Sequence, residues 1–230
     1  MRVRVATTAL GITAALLAVP ACSTDTTGPR HQPSSSRTGK PTEAAQEPAA
    51  LSSATLESRL LDPRDLGSSY LAKPERPVQH DDVSVIGCPA LSELGGDAAT
   101  GGTLAFPHKA QANFTYGGSS SEFSEELYSD SVKKLSNGVG RIFDAMARCP
   151  AYQVVSGGTP VDVTSQKLPA PTVGGDEQWS LLLTFIAGGR STVVKQTAIR
   201  DGNLLLIVSG SPALVDRHLD KALAKATATS

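Results

Sequence analysis

Gln178-Trp-Ser-Leu-Leu-Leu-Thr-Phe-Ile186, Ser191-Thr-Val-Val-Lys-Gln-Thr-Ala-Ile199 and Leu204-Leu-Leu-Ile-Val208 follow one another, with Gly188-Gly189 in the first break and Asp201-Gly202 in the second. Each run is apolar or β-branched and of strand length. Asp-Gly between such runs is a hairpin signal, because a two-residue type I′ turn needs positive φ at both central positions. The run 204–208 has no polar face, which predicts a central strand covered on both sides. Hairpin-connected strands make an antiparallel sheet, and that decides the fold class.

Upstream, Tyr152-Gln-Val-Val155 and Val161-Asp-Val-Thr164 continue the strand pattern. Ser131 to Arg148 is the best helix: Val132, Leu135, Val139, Ile142, Phe143 and Met146 form one apolar stripe, Asp130 or Ser131 caps it, and Pro150 follows. Gly138 and Gly140 weaken it by up to about 1 kcal/mol each relative to Ala, and suggest close approach to the sheet. Phe106 to Tyr116 and Glu122 to Tyr128 read as half-exposed strands, the second with Phe123, Glu125 and Leu127 on one side. Val83-Ser-Val-Ile86 is a short strand. Leu51 to Pro63 reads as a short helix with apolar positions 56, 60 and 61, closed by Asp62-Pro63. A last helix starts at Ser211-Pro212 and turns Val215, Leu219, Ala222, Leu223 and Ala226 inward. Residues 51–230 are thus expected to form one α+β domain, a mainly antiparallel twisted sheet with packed helices.

Residues 1–21 read as an export signal. Arg2 and Arg4 precede an uncharged apolar stretch, Ala9 to Val19, about half the length a bilayer-spanning helix needs. Val19-Pro20-Ala21-Cys22 then resembles a bacterial lipobox, in which the Cys22 thiol receives a diacylglyceryl group. The alternatives are a plain secretory signal with Cys22 incidental, and an uncleaved anchor. Two or three acyl chains hold stably where one is marginal. Residues 22–50 have no Val, Ile, Leu, Met or aromatic residue after the cysteine, and their Ser, Thr, Pro and Gly content describes a flexible tether of about 30 Å reach. The expected location is the extracytoplasmic side of a cell membrane.

The 230 residues carry 21 Lys+Arg against 22 Asp+Glu, so no basic footprint for nucleic acid exists. Catalytic signatures are thin as well. Ser131-Val-Lys-Lys134 matches a serine-lysine pattern, but its companion motifs are missing, and a cap serine with a solvated lysine explains it. Gly118-Ser-Ser-Ser-Glu122 has loop composition, Glu125 and Glu126 point to opposite strand faces, and six Gly-Gly pairs read as turns. His80-Asp81-Asp82 is the one metal-like cluster, and neighbouring residues of an extended segment rarely chelate one ion. His108 and His218 read as surface residues. No metal, no cofactor and no enzymatic activity is expected.

With Cys22 lipidated, Cys88 and Cys149 remain as a pair in an oxidising compartment, each followed by a proline and each at an element boundary, and a disulfide is expected.

Leu60-Leu-Asp-Pro-Arg-Asp-Leu66, Cys88-Pro-Ala-Leu91, the strand and helix that end at Cys149, and Ala198-Ile-Arg-Asp-Gly-Asn-Leu-Leu-Leu-Ile207 carry a family likeness. From Leu60 to Ala226 the chain resembles the PknH-like extracellular sensor domain, found in actinobacterial lipoproteins and outside the membrane on some Ser/Thr kinases. The resemblance implies a twisted sheet, a cleft, a Cys88–Cys149 disulfide and ligand sensing. The chain departs from it at Met146, where the family often has Trp, and in having two cysteines where kinase members have four. Three functions follow for testing. The first is a lipoprotein whose non-catalytic domain binds a small molecule, lipid or envelope component. The second is a protein-interaction module of the envelope, and the third a hydrolase with a dispersed triad.

Overall fold

Among the described residues nine strands form a single sheet in the order β1-β3-β4-β9-β8-β7-β6-β5-β2, and every neighbouring pair is antiparallel. The strands are β1 (Tyr70–Lys73), β2 (Val83–Ile86), β3 (His108–Tyr116), β4 (Glu122–Ser129), β5 (Ala151–Ser156), β6 (Thr159–Lys167), β7 (Glu177–Ala187), β8 (Arg190–Asp201) and β9 (Leu204–Gly210). Helices are α1 (Ser53–Arg59), α2 (Pro63–Leu66), α3 (Pro89–Ser92), α4 (Val132–Arg148) and α5 (Pro212–Ala226). The computed structural model describes residues 48–74, 83–95, 106–118, 121–156 and 158–228. Cys22, the signal and nearly all of the tether, and the His80-Asp81-Asp82 cluster lie outside them.

The expected α+β architecture is what the chain adopts. Leu205 and Ile207 of β9 pack under α4, while Leu204, Leu206 and Val208 pack under α5. The continuous apolar run at 204–208 therefore has the two-sided burial that its composition demands. Helix α4 buries Leu135, Val139, Phe143 and Met146 on one face of the sheet, and α5 buries Leu214, Val215, Leu219, Ala222 and Ala226 on the other. The α1 and α2 turns add Leu56, Leu61 and Leu66 to the α5 side.

Local chemistry places the joints. In the β7–β8 hairpin Gly188 and Gly189 both take positive φ, 54° and 75°, which few other residues would accept. The β8–β9 turn is shifted by one residue from the expected Asp-Gly centre: Asp201 pairs with Leu204, and Gly202-Asn203 make the bend. Asp62-Pro63 does more than close a helix. Asp62 accepts the Arg64 and Asp65 amides at 2.7 and 3.2 Å, Asp65 returns a bond to the Asp62 amide, and Pro63 opens α2. The expected helix from 51 to 63 is thus two short helices.

The N-terminus of α4 is governed by Asp130, whose Oδ1 accepts the Ser131 amide at 2.7 Å, while Ser131 makes no side-chain capping bond. Strand β3 starts at His108 rather than Phe106. The Phe106 ring instead lies against α4, where a Cβ on Gly138 would come within 2.7 Å of its Cζ. The close approach foreseen for Gly138 is therefore to a side chain that packs on Tyr128, with ring centroids 5.7 Å apart. Cys88, just before α3, and Cys149, just after α4, are joined in a disulfide with Cα atoms 5.7 Å apart.

Candidate functional site

A cleft of about 270 Å³ opens between the second half of α4 and the β6–β7 end of the sheet. Helix α4 contributes Phe143, Asp144 and Ala147, and Ala147 lies beside both of the others because it is four residues from Phe143 and three from Asp144. Strand β7 contributes Trp179 and Leu181, two residues apart and therefore on the same face. The rings of Phe143 and Trp179 stand 6.3 Å apart and form an aromatic floor. Lys167, at the end of β6, and the stretch after it make the far wall.

That wall is pinned by backbone and side-chain bonds. The Leu168 amide donates to the Ser180 carbonyl at 2.9 Å. Gln178 Nε2 donates to the carbonyls of Val173 and Gly174 at 2.6 and 3.0 Å. Its Oε1 is buried and has no protein partner, but Gln178 alternates with Trp179 along β7, so its side chain lies on the α5 face of the sheet, away from the cleft. Asp144 and Lys167, both exposed, place one charge of each sign at the mouth. The cleft can hold a small molecule with an apolar or planar body.

The entrance of β7 is tied rigidly to α4. Arg200, almost fully buried, donates to Glu177 Oε2 at 2.7 Å and to Asp176 Oδ2 at 2.8 Å, and Ser136 on α4 donates to Glu177 Oε1 at 3.0 Å. Bonds from Arg200 hold the Glu177 carboxyl below its ordinary range. This network positions Trp179 two residues further along the strand.

On the opposite face a second group of polar side chains is buried. Glu125 has no solvent exposure; its Oε2 accepts the Leu61 amide at 2.7 Å and its Oε1 has no partner. Burial pushes its carboxyl up to about 7. His218, read from sequence as a surface residue, is a core residue of α5, with Nε2 2.6 Å from the Tyr70 hydroxyl and its ring edge-on to Phe123. The expectation failed because every third or fourth residue of α5 faces the sheet, and position 218 falls on that stripe between Leu214 and Ala222. Desolvation, with Arg217 and Lys221 nearby, lowers its pKa below the ordinary 6.5. It is not a base facing a cleft.

The remaining candidates behave as separate surface or core groups. Glu125 and Glu126 do point to opposite faces, Glu126 accepting the Tyr128 hydroxyl on the α4 side. Lys134 is exposed and pairs with Asp130 at 3.1 Å, far from any nucleophile role for Ser131. Tyr152 is buried in the α4-side core with no partner for its hydroxyl, and it does not line the cleft, whereas Trp179 does. Among the described residues no cluster of three or more His, Cys, Asp or Glu side chains could hold a metal ion, and no helix is long and apolar enough to cross a membrane.

The extracellular domain of PknH from Mycobacterium tuberculosis matches this structure with a TM-score of 0.57, over 77% of this chain and 97% of that one, at 13% sequence identity. The two share a fold. An uncharacterized protein from Mycobacterium smegmatis, a Rv0999 ortholog, matches 72% of this chain and 93% of its own at 12% identity and a TM-score of 0.39. No protein-family description and no curated protein matches the chain. At 13% identity the likeness to the PknH domain is one of backbone, so no residue role passes from that protein to this one.

The cleft residues could not be found from sequence. Phe143, Asp144, Lys167 and Trp179 come from three elements and carry no local motif. Glu125 did leave a signal, an acid at the central position of the apolar face Phe123-x-Glu125-x-Leu127.

Proposed function

We propose that this chain is an exported lipoprotein, anchored through Cys22 on the extracytoplasmic side of the cell membrane, whose folded domain binds a small ligand in the Trp179 cleft without transforming it. The observation that carries the binding reading is the cleft itself, an aromatic floor of Phe143 and Trp179 with Asp144 and Lys167 at its mouth. The anchoring reading rests on the apolar N-terminal stretch that ends in Ala21-Cys22. The Cys88–Cys149 disulfide agrees with an oxidising compartment, and so does a fold shared with an extracellular domain. A sensor role of the kind implied by the PknH-like resemblance would need a signalling partner.

Trp179 is the chain's one tryptophan, so intrinsic fluorescence reports the cleft directly. Native mass spectrometry of the chain purified from its own host should show a co-purifying small mass, and its removal should shift the Trp179 emission. A clean apo mass, with emission unmoved by a small-molecule extract of the host, would sink the binding reading. Labelled palmitate should enter the chain and not its Cys22→Ser variant; absence of label in both would refute the anchor.

The exposed large apolar side chains among the described residues are Leu71, Ile86, Ile186 and Val193. Leu71 and Ile86 lie on the two opposite edges of the sheet and share no patch, whereas Ile186 of β7 and Val193 of β8 are diagonal neighbours on one face.

A further inference from the structure

Glu125 sits on β4 between Ala112 of β3 and Val208 of β9, and neither flanking residue is charged. Over it lies the connection between α1 and α2, whose Leu61 amide supplies the carboxyl's one hydrogen bond. The charged groups that face it come from α5 and α2, namely Lys225 and Asp65. Lys225 is already engaged: its ammonium is 2.5 Å from Asp65 Oδ2 and 3.8 Å from Asp62 Oδ2. On α1, Arg59 spends its Nη1 on the Ala226 carbonyl at 2.9 Å. Arg59 Nε is buried without a partner, but among the described residues no cation pairs with Glu125, whose second oxygen has no hydrogen-bond partner.

We propose that Glu125 is a proton-operated fastener, which when protonated holds the α1–α2 segment (residues 51–66) on the sheet and when ionised drives that segment off. The inference is independent of the ligand reading. An ionised carboxylate with one hydrogen bond in a dry site is costly, and the structure can avoid that cost by letting water reach it. The lightest element in the way is the α1–α2 segment. It is held by the side chains of Leu56, Leu61 and Leu66, by the Leu51 amide on Ser129 Oγ at 2.8 Å, and by Lys221 and Lys225 on Asp65. Lifting it exposes Glu125 and leaves the β7–β8–β9 centre of the sheet in place.

The direction follows from the two states. Closed, burial raises the carboxyl to about 7, against the Leu61 amide and Lys225; open and hydrated, it returns to the ordinary 4.5. Opening then releases a proton between those limits, so the open fraction rises roughly tenfold per pH unit from about 4.5 and levels off above about 7. His218 acts with the opposite sign, since burial lowers its pKa and its neutral form is the buried one. The segment so governed is where the stretch carrying Cys22 enters the folded domain.

Hydrogen exchange of the full chain at pH 4.5 and 7.5, corrected for intrinsic exchange rates, tests this. Amides of residues 51–66 should show an opening equilibrium about 100-fold larger at the higher pH, with β8 and β9 amides unchanged. Glu125→Gln keeps an acceptor for the Leu61 amide but cannot ionise, and should hold the segment closed at both values. Equal protection of 51–66 at the two pH values, the same pH response in the Gln variant, or an equal rise across β8 and β9 would overturn the proposal. Should that variant fail to fold, a carboxyl NMR titration of Glu125 in the native chain decides: a midpoint near neutrality supports the fastener, and one in the ordinary carboxylate range refutes it.

Discussion

The Tyr70 hydroxyl lies 2.6 Å from His218 Nε2, joining the first strand to the last helix across 148 residues. Tyr70 is an edge-strand residue, and its ring also packs on Tyr116 at 4.9 Å and edge-on to His218 at 5.0 Å. The bond is made inside a desolvated aromatic cluster, where a lost partner leaves a buried nitrogen without a mate. Tyr70→Phe should lower stability by about 1 kcal/mol in urea unfolding at pH 7.5. Because His218 is buried neutral, its contribution is complete above about 6.5 and is lost as pH falls below that value.

Reduction of the Cys88–Cys149 disulfide should cost far more. The bond closes a loop of 61 residues, which in the chain-entropy account stabilises the fold by roughly 4 kcal/mol. It also ties the start of α3 to the end of α4, the helix that builds one wall of the cleft. Urea unfolding of a Cys88→Ser/Cys149→Ser variant should show that loss, together with a weaker response of Trp179 fluorescence to the ligand. A midpoint equal to that of the oxidised chain would contradict the assignment of a structural role.

Gly210 ends β9 with φ of 148°, pairs with Phe123 and Lys195, and precedes the Ser211 amide that donates to the Glu122 carbonyl at 3.0 Å. A Cβ there would collide with that carbonyl and stand 3.0 Å from Phe123 Cα, both backbone. Gly210→Ala should therefore destabilise by about 3 kcal/mol, while Gly188→Ala, at φ of 54° with nothing within 4 Å, should cost only about 1 kcal/mol. Thermal unfolding of the two variants side by side tests the difference between collision and conformational strain.

Arg200→Met removes the fork that grips Asp176 and Glu177 and should cost about 2 kcal/mol, since both carboxylates are partly exposed and can rehydrate. In the native chain Asp176 is held below its ordinary range by the Gly202 amide and then by Arg200, and Glu177 chiefly by Arg200. Their contribution is present above the ordinary carboxylate range and is lost as pH falls through the depressed values. The variant should lose less stability than the native chain on acidification below pH 4.5, the ordinary glutamate value. It should also broaden the Trp179 emission, because the strand entrance is no longer clamped to α4.

Much of the frame was legible from residue order alone. The stripe of α4, the inward set of α5, the glycine-punctuated hairpins of β7, β8 and β9, and the cysteine pair all follow from local periodicity, turn chemistry and counting. These are properties of neighbours along the chain, where φ preference and side-chain direction act within a few residues. What only tertiary structure decided was which face each stripe meets. Nothing local sends β2 to the far edge beside β5, puts His218 under Tyr70 and Glu125 under Leu61, or brings Phe143 to Trp179 across a cleft. Those depend on burial contributed by segments tens to well over a hundred residues away, and burial, unlike a turn or a helical repeat, is a property of the folded whole.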